Sequence, residues 1–100
     1  MRIKVSVTRG DISKGKTPAH GWAEATCPVE RAINRTVEEL TGVNTYVAAT
    51  SRVISGREML TGKPVPERLF EVNTPRSVAR FIKAFDANKK VKPFNFFLNV

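Results

Sequence analysis

The stretch CPVERAINRTVEELTG, Cys27–Gly42, decides the fold class. Val29, Ala32, Ile33, Val37 and Leu40 recur at the three- and four-residue intervals that stack side chains along one side of a helix. Glu30, Arg31, Asn34, Arg35, Glu38 and Glu39 fall on the other, solvated side. Pro28 has no amide hydrogen to lose and suits the first helical position. Thr26 or Cys27 suits the cap, and Gly42 suits the residue that ends the helix. Such a helix is half a structure, because its apolar stripe must be covered by other parts of the chain.

Working outward, the cover is found at both ends. Arg2–Thr8 alternates, with Ile3, Val5 and Val7 on one face and Lys4 and Ser6 on the other, which predicts a half-buried strand. Phe94, Phe96, Leu98 and Val100 alternate with Asn95, Phe97 and Asn99 and predict a closing strand. Between them, Val43–Ala48 and Arg52–Ile54 read as short strands joined through Ala49–Ser51, and Arg68–Val72 as another. Ser55–Pro66 holds two Gly and two Pro and reads as loop, with room for one helical turn at Arg57–Leu60. A second helix is capped by Thr74, starts at Pro75, turns Val78, Phe81, Ile82 and Phe85 inward, and ends at Asn88 and Lys89.

The expected architecture is one α+β domain over residues 1–100: a small, mainly antiparallel sheet with two helices packed on one face. The other face is left open or pairs with a second copy, so the chain is a monomer or a homodimer. Ile3, Val5, Ile33, Val37, Leu40, Phe81, Phe85 and Phe96 are expected to be buried together. A length of 100 residues leaves room for one such core and no more. Hydrophobic content of 41% and charged content of 26% exclude a disordered chain or a collagen-like repeat. No apolar run approaches the roughly 18 residues of a membrane span, so no membrane partner is expected. Cys27 is the only cysteine, which excludes an internal disulfide and any multi-cysteine zinc site and favours an intracellular domain.

One formal enzyme motif is present. GDISKGKT, Gly10–Thr17, matches the phosphate-loop pattern and follows a predicted strand. A phosphate loop must open a helix at once, yet Pro18 and Gly21 follow and no apolar periodicity develops before Thr26. The alternative reading is a capping box at Thr8–Asp11, a single helical turn whose Ile12 plugs the core, and a Gly15 that ends it with positive φ. Cys27 with His20 would form a thiol and base only if the thiol were activated and the ring oriented. A small residue tucked beneath a helix start explains Cys27 without chemistry. Glu38 and Glu39 lie on the solvated side, and one His plus one Cys is no metal cluster. No catalytic residue, cofactor or metal is therefore assigned. Trp22 fits either a plug for a long loop or an exposed aromatic anchor for a partner.

The chain also carries a recognisable order of short motifs. These are Thr8, Asp11, Ile12 and Gly15; then Cys27, Pro28 and Val29; then Phe81, Ile82, Phe85 and Asp86; then Val91, Pro93, Phe94 and Phe96. In this order it resembles a family of short proteins encoded by bacteriophages and prophages, for which no activity is established. The resemblance spans most of the chain outside Ala49–Val72. It implies a phage context and action in the host cytoplasm.

Charge supplies the functional expectation. The net charge is +8, with +4 in residues 1–20, −2 in residues 21–50, +1 in residues 51–75 and +5 in residues 76–100. Arg76, Arg80 and Lys83 fall within about 60° of arc on the second helix, opposite its apolar face. Lys89, Lys90 and Lys92 continue the charge. Pairing of the terminal strands would set Arg2 and Lys4 beside the tail after Lys92 and join the two basic ends. Phe97 or Trp22 would supply the exposed aromatic ring that single-strand readers use. Two functions follow. One is an accessory protein that binds and modulates a host protein with an acidic surface, as the phage resemblance favours. The other is a basic module for nucleic acid or a phosphorylated ligand. Both are binding roles, and a solvated cationic face is the reading that assigns neither.

Overall fold

The computed structural model describes residues 2–15 and 27–100. Along these the chain runs β1 (Arg2–Val7), α1 (Arg9–Lys14), α2 (Pro28–Thr41), β2 (Thr45–Ala49), β3 (Val53–Leu60), β4 (Lys63–Asn73), α3 (Arg76–Asp86) and β5 (Phe94–Asn99). The class is α+β and every strand pairing is antiparallel. The single sheet expected is divided in two: a ribbon of β1 and β5, and a meander in the order β2-β3-β4. The terminal strands do pair, with Arg2 opposite Asn99, Lys4 opposite Phe97 and Val7 opposite Phe94.

The apolar faces meet as the alternation requires. Ile3, Val5 and Val7 of β1 and Phe96 and Leu98 of β5 are buried with Val29, Ala32, Ile33 and Val37 of α2. Val47 and Ile54 close the core from the meander, and Val78, Phe81 and Ile82 close it from α3. Phe81, Phe94 and Phe96 form a chain of ring contacts with centroids 4.8 and 5.6 Å apart. Two residues of the expected core lie outside it. Leu40 is 58% exposed, because the last turn of α2 overhangs an open pocket. Phe85 is half-buried, stacked parallel to Phe81 at 6.3 Å on the margin.

Capping follows local chemistry. Thr8 Oγ1 accepts from the Asp11 amide at 3.2 Å and Asp11 Oδ2 accepts from the Thr8 amide at 2.9 Å, the reciprocal pair expected for α1. Cys27 plays the same part for α2: its Sγ accepts from the Glu30 amide at 3.3 Å, and Glu30 Oε1 accepts from the Cys27 amide at 3.1 Å. Gly42 ends α2 at φ +72°. At α3 the expected cap is corrected. Pro75 occupies the cap position without a side-chain bond, and the Thr74 hydroxyl donates to the Thr50 carbonyl at 2.7 Å instead.

The largest difference is Ser55–Pro66, which is the heart of a β-hairpin and not a loop. Thr61 and Gly62, at φ 51° and 79°, make its tight turn with the twist that antiparallel strands prefer. Gly56 is required by close approach, since a Cβ there would stand 2.3 Å from the Phe70 ring that lies across it. Pro64 and Pro66 are tolerated because β4 is an edge strand. Arg57 donates to the Val65 and Pro66 carbonyls where the register shifts.

Gly15 is also needed for a reason other than the one expected. Its φ is −66°, an ordinary value, but a Cβ would lie 2.6 Å from Pro28 Cδ and 2.9 Å from the Asp11 carbonyl oxygen. Gly15→Val is therefore expected to destabilise the fold by about 1–3 kcal/mol through overpacking. Gly42→Ala would test the contrast: its cost of about 1 kcal/mol comes from positive φ with open space around it. Denaturant titration of the two variants checks both.

Candidate functional site

The charges of this protein fall into two populations. One is centred on the buried carboxylate of Asp11. Asp11 is 1% exposed and receives Arg35 Nη1 at 2.6 Å on one oxygen and Nη2 at 2.8 Å on the other. Arg35 Nη2 also donates to the Ser6 carbonyl at 3.0 Å, so one guanidinium ties α2 to α1 and to β1. Arg31 Nε stands 3.9 Å from Asp11 without a hydrogen bond. Burial alone would push the Asp11 carboxyl up, but the Arg35 bonds and charge, with the Thr8 amide and hydroxyl, hold it below its ordinary value near 3.8. Arg35, expected on the solvated side of α2, is thus a structural cross-link. Glu30 is engaged likewise, accepting from the Ala49 amide at 2.8 Å and so fixing α2 to β2. Asn34 accepts the Thr45 hydroxyl at 2.6 Å.

The second population is exposed. Arg76, Arg80 and Lys83 all face solvent on α3, opposite buried Val78, Phe81 and Ile82, and none forms an ion pair among the described residues. Lys89, Lys90 and Lys92 are exposed on the segment that leads into β5. Asp86 is the acid of α3; partial burial and the Glu30 charge push its carboxyl up.

Arg2 and Lys4 are exposed on the outer face of the β1–β5 ribbon. There they meet Phe97, which is 49% exposed. The Arg2 guanidinium carbon sits 4.2 Å from the Phe97 ring centroid, and Lys4 is the residue directly across the ladder. Asn95 and Asn99 flank the ring on the same exposed face of β5. The register separates the two basic groups along the ribbon: Val7, not Arg2, is opposite the Phe94 that follows Lys92 and Pro93. The sequence alternation placed Phe97 toward solvent. Its apposition to Arg2 and Lys4 depends on pairing between opposite ends of the chain, for which no local signal exists.

Other candidates resolve as follows. Cys27 is buried, and desolvation together with the Glu30 charge pushes its thiol up to about 12, far from nucleophilic use at neutral pH. In the phosphate-loop motif, the Asp11 and Ile12 amides are already bonded to Thr8, within helix α1. Lys16, Thr17, His20 and Trp22 lie outside the described residues. Among the described residues no three His, Cys, Asp or Glu side chains gather as a metal site, and no helix is long and apolar enough to cross a membrane. A pocket of about 200 Å³ that the sequence did not suggest lies between α2, β4 and the ribbon, lined by Ile3, Val37, Leu40, Leu69, Phe70 and Val100 among others. Comparison with protein-family models, with curated proteins and with solved structures finds no match.

Proposed function

We propose that this protein is a non-catalytic binding module for nucleic acid, acting through phosphate contacts and without base-specific readout. The observation that carries the reading is the row Arg76, Arg80 and Lys83: three exposed cations on one arc of α3, unpaired among the described residues, in a protein whose buried acid is matched by a guanidinium. Guanidinium and ammonium groups in such a row bond phosphate oxygens in succession along a strand, and each contact releases condensed counterion. Among the described residues no helix-turn-helix pair is present to enter a major groove, which favours backbone contact over sequence recognition. On the phage resemblance, the host cytoplasm would be the site of this action.

Three to six phosphate contacts would make log affinity for duplex DNA fall with log salt at about −0.9 per contact. Replacing Arg76, Arg80 and Lys83 together by Ala is expected to flatten that slope by about two to three units while the melting temperature stays within a few degrees, since all three side chains are exposed. Fluorescence anisotropy across a salt series checks this. Absence of binding to duplex and single strands at low salt overturns the proposal.

The second reading is an accessory protein that modulates an acidic host protein. The pocket beside exposed Leu40 and Leu69 favours it, because a concave apolar surface suits a protein partner. Affinity purification from host cells with and without nuclease separates the two: a nuclease-resistant protein partner supports the second reading, and recovery of nucleic acid alone supports the first.

A further inference from the structure

We infer that the outer face of the β1–β5 ribbon is a stacking platform for an unpaired base, with Phe97 beneath the base and Arg2 and Lys4 on the adjoining phosphates. The inference rests on the nucleic-acid reading and narrows it to single strands. Phe97 occupies a central position of β5 on the face turned from the core, and about half of it is in water. A planar group reaches the ring from solvent, because the Arg2 guanidinium does so at 4.2 Å. A base carries the same flat shape with a larger π-surface, and base-on-ring stacking is tolerant of sequence because every base has a π-face. Once a base takes that place, Arg2 is released toward the phosphate, and Lys4 stands across the ladder from the same ring.

The neighbours of Phe97 complete the fit. Asn95 and Asn99 lie two residues to either side on the exposed face, and their amides donate to and accept from base edges without choosing among them. Two cations on β1 and two amides and one ring on β5 suit a polyanion with flat uncharged bases. An acidic peptide would match the cations and leave the ring without a partner. Duplex DNA does not meet the demand either, because its bases are stacked on one another and reach a protein ring only after being flipped out.

The test uses the whole chain with two labelled probes, an oligothymidylate and a duplex of equal length, by fluorescence anisotropy. Wild-type protein is expected to bind the single strand more tightly. Phe97→Val, which keeps strand preference but removes the ring, is expected to lower single-strand affinity roughly tenfold and leave duplex affinity and salt slopes unchanged. Phe97→Tyr is expected to restore it. Circular dichroism melting of both variants confirms that the fold is intact. Unchanged single-strand affinity in folded Phe97→Val overturns the platform while leaving phosphate binding in place. Loss of affinity for both probes alike in that variant also overturns it. Failure of the wild type to bind either probe overturns the nucleic-acid reading itself.

Discussion

Ile33→Ala is expected to lower stability by about 2–5 kcal/mol, which takes most of the margin of a domain with a typical 5–15 kcal/mol. Ile33 is fully buried on α2, in the core that the helix shares with the ribbon and the meander. Removing three carbons there loses their transfer free energy and leaves a cavity that helix and strands fixed by capping and ladder bonds cannot collapse to fill. Leu40→Ala, seven residues on along the same helix, is expected to change stability by less than about 1 kcal/mol, because that side chain is 58% exposed. Urea titration of the pair gives a direct test of how α2 faces the core. Equal losses in the two variants would mean that the helix is rotated or extended from the arrangement described here.

The second large effect is electrostatic. Arg35→Ala is expected to destabilise by about 3 kcal/mol at pH 7, because it leaves the Asp11 carboxylate buried with the Thr8 bonds but without its principal cation. In the wild type the Asp11 pKa is depressed on folding. Its stabilising contribution is therefore present above the unfolded value near 3.8 and is lost as pH falls through the folded value below it. In Arg35→Ala the burial that opposes ionisation is no longer offset, so protonation relieves the variant. The stability difference between the two proteins is expected to be largest near pH 7 and to shrink below about pH 4. A difference that stays constant from pH 7 to pH 3 would show that Arg35 acts through packing of its aliphatic stem and not through the ion pair.

The parts of the fold legible in the sequence are those whose signal is local. The alternation of Ile3, Val5 and Val7 and of Phe94, Phe96 and Leu98 gave the terminal strands their faces, and the three-and-four spacing from Val29 to Val37 gave α2 its buried side. Ser55–Pro66 misled because Gly and Pro ordinarily break strands. Here Gly56 makes room for Phe70 across the ladder, and the prolines lie in an edge strand, two contexts visible only after pairing. Arg35 read as solvated because its partner Asp11 is 24 residues away on a separate short helix. For the candidate site, the exposure of Arg76, Arg80 and Lys83 followed from helical period alone. The Arg2–Phe97 contact required register between strands at opposite ends of the chain, which periodicity does not encode.

That long-distance register bears on the order of assembly. The β2-β3-β4 meander is closed by turns of a few residues, whereas the ladder from Arg2 to Asn99 joins nearly the whole length of the chain. Short loops close at small entropic cost and long ones only when other contacts have already gathered the ends. The hairpins are therefore expected to form early and the terminal ribbon last, making it also the first part to open in native-state hydrogen exchange. The surface carrying Phe97 then exists only on chains whose two ends have both been made and brought together. A nascent chain still lacking β5 would display the α3 cations but no platform, and activity at the ribbon would report completion of folding in a way that activity at α3 would not.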